Sequence, residues 1–448
     1  MENMKTNHKL MNIIIITLTI IIIFSFFIGF YFEENSAGGG IIPELHHHWE
    51  NFQIFLNNDF LTAINLTKGG PDKFGMTYDS SRTPLVPIIQ AFFLSFIELN
   101  QEFAPEELFN FRAVIFSISL MGPIIFYYCL KKKFTSAPKV LLILLPISVL
   151  FLSPYYRTSA FWGFAENYTF LSMLLSYFYY QKLIDFKKDQ PKKNINFNLF
   201  LIAFFSSLCV YFDVKAIIIP MLCYFFILRS NLPIKSILVT TIYYLIFSLP
   251  MIYLFSLWKG PIPPVQMLGR GAGFAFYIEN IGYSISIISF YLLPLIFFKH
   301  DNFYSVVKLL TKKKFIIFSI LSIFYIVFLN YFFDFSNQIF IGKGIVHKAV
   351  ELLPENENLK ILITNFAFII SIFIIVLFVD KKLDIFIILF FVSFSCISSW
   401  IFQEYFDPII LIFAFTFFGT QLYITAPKVL LLTSYQSLFL ISAIIYYN

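Results

Sequence analysis

Charge is what this chain has least of. Asp, Glu, Lys and Arg make up 13% of its 448 residues, against about 25% in a soluble domain. Most side chains must therefore face lipid or other apolar helices. Cysteine is scarce as well. Cys129, Cys209, Cys223 and Cys396 all fall inside apolar runs, which argues against a Cys-built zinc site and against a disulfide framework. There is no internal repeat, coiled-coil heptad or low-complexity linker. The two halves show no self-similarity and no matching pair of broken helices, which counts against a transporter built on inverted repeats. The net charge of +6 does not indicate a nucleic-acid partner, because the basic residues sit in short loops between apolar runs.

Apolar residues fill the space that charge leaves. The chain is 58% hydrophobic and 21% aromatic, with 62 Phe, and its mean hydropathy is +0.78. These values predict an all-α polytopic membrane protein, a single integral-membrane domain over residues 1–448. Thirteen runs are candidate spans: 10–32, 109–130, 138–152, 160–180, 197–211, 215–229, 236–257, 274–298, 315–333, 361–379, 384–400, 409–424 and 428–446. The first is too long for a signal-peptide core and lacks a small-residue cleavage site, so it reads as a retained span. The run 84–99 starts with Pro84 and Pro87 and ends in Glu98; it reads as a helix on the membrane surface. Residues 33–108 then form a large first outer loop with surface helices.

Loop charge orients this arrangement. With the N-terminus inside, the inner loops hold 21 of the 32 Lys and Arg residues. They hold only six of the 26 acids: Glu2, Asp185, Asp189, Asp301, Asp380 and Asp384. The other acids face outward. The densest set of chemistry-bearing residues of that face lies between Glu33 and Arg82: Glu33, Glu34, Glu44, His46, His47, His48, Trp49, Asp59, Asp79 and Arg82. Further polar clusters fall at 153–167, 212–215, 258–273, 334–360 and 402–408, where Arg157, Glu166, Asp213, Lys215, Arg270, Gly342, Lys343, Gly344, His347, Lys348 and Glu404 stand.

Ionisable groups at span mouths are functional candidates by default. A partly buried carboxylate can take a proton from a hydroxyl. Arg and Lys can hold a phosphate, Arg as a fork and Lys as a point charge. Together, beside lipid-accessible helices, they suit sugar transfer from a polyprenyl-phosphate donor. Glu44 and Glu34 are the candidate bases, and Arg82, Arg270 and Lys215 are candidate phosphate contacts. His47 and His48 are candidates for contacting the acceptor; neighbouring helical residues point to different faces, so no metal site is expected. Asp59, Asp79, Glu404 and the pair Arg157 and Glu166 complete the candidate set. Gly38–Gly40 reads as a hinge rather than a phosphate cradle.

The order of these segments resembles the GT-C superfamily of membrane glycosyltransferases. Pro43-Glu44, leading into His46–His48, stands where that group carries an acidic pair. Asn58-Asp59-Phe60 stands at its following turn, Arg82-Thr83-Pro84-Leu85 at its Pro-rich helix, and Phe111-Arg112-Ala113-Val114 at its arginine-led span, closed by Lys131–Lys133. Ser153-Pro154-Tyr155-Tyr156-Arg157, Glu166-Asn167, Trp258-Lys259-Gly260-Pro261 and Gln403-Glu404-Tyr405-Phe406 are similar to later outer turns. Pro43 replaces the first acid of the pair, and Glu34 lies at the membrane edge where such enzymes often place the catalytic acid, so both acids stay in play. The resemblance implies an inverting hexosyltransferase in a bacterial inner membrane, with its site facing the periplasm. It would use a polyprenyl-phosphate sugar as donor and a glycan or lipid as acceptor, with no cofactor required. A transporter or flippase of lipid-linked glycans, or a polymerase of them, is the alternative.

Overall fold

The computed structural model describes residues 2–37, 41–80, 83–96, 105–189, 195–264, 276–300, 309–329, 342–397 and 401–447; among them the side chains at 2–8, 41–44, 105–107 and 185–189 are left out. The described residues are helical, with isolated bridges Pro71–Thr77 and Gly342–Ile401 in place of any strand. Six helices are long and apolar enough to cross a bilayer: Lys9–Tyr31, Leu108–Lys133, Ile195–Phe212, Ile234–Trp258, Glu357–Phe378 and Ala426–Tyr447. A seventh arises if the bent pair Lys139–Phe151 and Pro154–Trp162 is one span. The chain is thus a helical, multi-pass membrane protein, with six or seven such spans among the described residues rather than thirteen.

The missing spans have local causes. Gly163 at φ 81° breaks the run 160–180, and the helix that follows, Glu166–Asp189, is long enough but Tyr-rich and charged at its end. Pro294 turns the helix Asn280–Leu292 into the 3-10 segment Pro294–Lys299. The run 215–229 becomes a 3-10 turn, Val214–Ile217, joined to the helix Ile218–Leu228. The run 315–333 gives Lys312–Phe324 and one π-turn, Tyr325–Leu329, its last residues lying outside those described. The helix Lys382–Ser395 has only 14 residues. The run 409–424 stops at Phe415. Beyond it the buried Asp384 carboxylate accepts from the backbone N–H of Gly419 (2.7 Å) and Thr420 (3.0 Å), and from the Thr420 hydroxyl (2.5 Å). Those donors serve a side chain and not a helix. The run 84–99 is the ten-residue helix Leu85–Leu94, too short to span.

The chain packs as two units. The first comprises Ile21–Lys133, Pro154–Gly273 and Ile441–Asn448; the second comprises Met1–Ile20, Phe134–Ser153 and Phe274–Leu440. The first unit builds its core on aromatics. Phe26, Phe30, Phe116 and Phe161 stack at ring separations of 4.1–6.3 Å. In the helix Ile41–Asn57, the buried residues Leu45, Trp49 and Phe52 recur at helical spacing, and Trp49 and Phe52 pack on Phe111. That is the apolar stripe of an amphipathic helix.

Pro250 lies inside the helix Ile234–Trp258, where its ring disturbs the backbone ladder. The Tyr211 hydroxyl occupies the break: it donates to the Phe247 carbonyl (2.6 Å) and accepts from the Met251 N–H (3.1 Å), the two groups that would otherwise bond each other. A side chain inserted into the ladder stabilises a bend at this point. Tyr211→Phe strands both groups in an apolar setting. A cost of about 1–3 kcal/mol is expected, read as a lower melting temperature in detergent with unchanged helicity.

Candidate functional site

The end of the first helix, at residues 31–36, gathers the strongest ionic contacts of the first unit. Glu33 takes φ 55°, which turns the two successive carboxylates toward different arginines. Glu34 receives Arg157 as a fork, Nε to Oε1 at 2.7 Å and an Nη to Oε2 at 2.5 Å. The same guanidinium donates to the Ser25 carbonyl (2.9 Å) and lies over Phe26 and Phe161. Its side chain is 2% exposed and that of Glu34 14%. Gly29 makes room for the pair. A Cβ there would meet the Arg157 Nη at 2.5 Å, Phe161 at 2.7 Å and Glu34 Oε2 at 2.8 Å. The Trp162 indole N–H fixes the Glu34 backbone carbonyl at 3.0 Å.

Glu33 is held by Arg112 at 2.5 Å. Arg112 also donates to the carbonyls of Phe30 and Phe161 and lies between the Phe30 and Trp162 rings. Its side chain is 2% exposed, whereas Glu33 is 56% exposed. A buried cation therefore presents an open carboxylate. Beside it lies an apolar groove of about 510 Å³ lined by Phe27, Phe30, Phe32, Phe109, Ala113 and Phe116 among others. Phe30 belongs to both the groove and the Arg112 stack.

A second cluster forms on the helix Ile41–Asn57. His46 Nδ1 and His47 Nδ1 approach Glu50 Oε2 at 3.7 and 3.8 Å, and His47 Nδ1 approaches Asp79 Oδ2 at 3.5 Å. Asp79 is placed by Asn51, whose side chain accepts from the Asp79 N–H (2.9 Å) and donates to its carbonyl (3.0 Å). His48 faces away from this cluster, its ring 5.2 Å from that of Phe164.

The structure thus joins Arg157 to Glu34 and His47 to Asp79. Glu166 accepts from the Ser159 hydroxyl at 2.9 Å. Asp59 is the N-cap of the helix Phe60–Leu66. The hydrogen bonds from Thr62 hold its carboxyl below the usual range, so it acts as a helix cap. Lys215 lies in the 3-10 turn capped by Asp213, which accepts from the Lys215 backbone N–H. Arg82 and Arg270 lie outside the described residues, as does the side chain of Glu44, whose backbone belongs to the helix Ile41–Asn57.

The second unit carries Glu404, in the 3-10 turn Gln403–Tyr405. It also carries the Gly342–Lys343–Gly344 turn, three successive residues at φ 92°, 63° and 73°. Gly344 is required there, since a Cβ would meet Ile287 at 2.6 Å. The Lys343 ammonium lies over the Tyr283 ring, and burial lowers its pKa to about 8 against the pull of Glu279 and Glu351. His347 contacts Glu351 at 3.0 Å. Lys299 and Lys314 both grip Asp380 at 2.8 Å.

Sequence reasoning named Arg112 as the head of an arginine-led span and missed Glu50, Asn51 and Asp384 as organising residues. Of these three, a signal was present for Glu50, which stands four residues after His46 on a helix. Comparison of the chain with protein-family models, with curated proteins and with solved structures finds no match in any of the three.

Proposed function

We propose that the chain is a membrane glycosyltransferase that moves a sugar from a polyprenyl-phosphate donor to a glycan or lipid acceptor at the outer membrane face. The observation that carries this reading is the meeting of paired carboxylates, buried arginines and an apolar groove at the end of the first helix. The groove suits the prenyl tail. Arg112, stacked on the groove residue Phe30, supplies positive charge beside it, and an acid of this segment removes the acceptor proton as the phosphate leaves. Glu34 and Glu44 are the acids to test, because their segments also carry the resemblance to the GT-C enzymes. The Lys and Arg bias of the loops, counted on the thirteen-run reading, supports a cytoplasmic N-terminus, and the bacterial inner membrane is what the resemblance implies.

The test is transfer from labelled polyprenyl-phosphate sugars by purified protein in detergent. Loss of a general base costs about 10²-fold or more, so Glu34→Gln or Glu44→Gln should lower turnover by that factor while the far-ultraviolet dichroism stays unchanged. Wild-type turnover in both variants, or no transfer by the parent with any donor of this class, rejects the reading.

A further inference from the structure

We propose that His46, His47, Glu50 and Asp79 form a site for a divalent transition-metal ion of the zinc type. This inference rests on the cluster's own geometry and does not depend on the glycosyltransferase reading. His46, His47 and Glu50 each offer one ligand atom, and these atoms lie within 4.8 Å of one another. Asp79, on a separate segment, brings a further carboxylate to 3.5 Å from His47.

The spacing is informative. At 3.5, 3.7 and 3.8 Å the nitrogen-to-carboxylate separations are too long for hydrogen bonds, which run to about 3.2 Å. They are close to the edge of a tetrahedron around zinc, about 3.3 Å for bonds near 2.0–2.1 Å. A buried ligand atom of the cluster also lacks a partner. The Nδ1 atom of His47 is sealed from solvent and has no hydrogen-bond partner among the described residues, yet it faces two carboxylates.

Ligand chemistry selects the class of ion. Two imidazoles favour zinc and its first-row neighbours, whereas magnesium and calcium prefer all-oxygen shells. The side chains are 28–49% exposed, so an ion can enter from solvent. Asn51 is the positioning residue: its two hydrogen bonds to the Asp79 backbone hold that residue against the helix. A bound ion would tie the Asp79 segment to the helix Ile41–Asn57.

The experiment uses the full chain without a polyhistidine tag, in detergent, titrated with Co2+ as a spectroscopic stand-in and then with Zn2+. The parent should take up one Co2+ per chain with the visible absorption of a low-symmetry four-coordinate site, and Zn2+ should bleach it while excess Mg2+ does not. His47→Asn and Glu50→Gln should each abolish the band. Asn51→Ala, which removes no ligand, should weaken binding about 10- to 100-fold. His48→Asn should leave it intact, and that arm separates this site from general histidine binding. No uptake by the parent overturns the proposal, as does equal uptake by His47→Asn and Glu50→Gln variants that retain parental helicity.

Discussion

Arg157→Met is expected to destabilise the first unit by about 3–5 kcal/mol, because it leaves the Glu34 carboxylate largely buried without its cation. Every contact of the guanidinium contributes to this value. Glu34 receives two charge-assisted hydrogen bonds, the Ser25 carbonyl a third, and Phe26 and Phe161 face the cation. Methionine can fill much of the volume but satisfies none of these groups. The measurement is unfolding in detergent by heat or denaturant. A second variant decides whether charge is the cause. Glu34→Gln combined with Arg157→Met removes both ions, and a buried pair replaced as a unit costs less than either half. The double variant should therefore be more stable than Arg157→Met alone. Additive losses would show that packing around the methylene stem dominates instead.

Asp384→Ala is expected to cost a similar amount, about 3–5 kcal/mol, in the second unit. The carboxylate is fully buried and accepts from the Gly419 and Thr420 N–H groups and the Thr420 hydroxyl. Alanine leaves two backbone donors unsatisfied, each worth about 1–3 kcal/mol. Asp384→Asn should rescue little, since its amide would set a donor against a donor. Thr420→Val, which removes only the hydroxyl, should lose about 1 kcal/mol. Equal losses for Thr420→Val and Asp384→Ala in thermal unfolding would contradict this division.

These two residues also mark where sequence stopped being informative. Apolar runs are a one-dimensional signal, so the helical membrane class and the six long spans follow from them directly. The end of a helix is often decided elsewhere. Nothing within 409–424 announces that Asp384, 35 residues earlier, will take the N–H groups of Gly419 and Thr420. The ion pairs behave in the same way. Arg157 stands 123 residues after Glu34, and nothing in the sequence announces the fork between them. The local pattern carried further where a helix repeats: Leu45, Trp49 and Phe52 share a face, and so do His46 and Glu50. Asp79 joins them only because Asn51 anchors its backbone, a contact that no spacing rule contains.

The shortness of the apolar helices has a consequence for the host membrane. A helix of 14 residues such as Lys382–Ser395 extends about 21 Å at 1.5 Å per residue, while a typical hydrocarbon layer is about 30 Å thick. Where such a segment meets acyl chains, the lipid must thin to match it, at a fraction of a kcal/mol for each ångström of mismatch. Acyl length thus becomes a thermodynamic variable for this protein, and reconstitution in short-chain phospholipid should favour its native state over the same lipid lengthened by several methylenes.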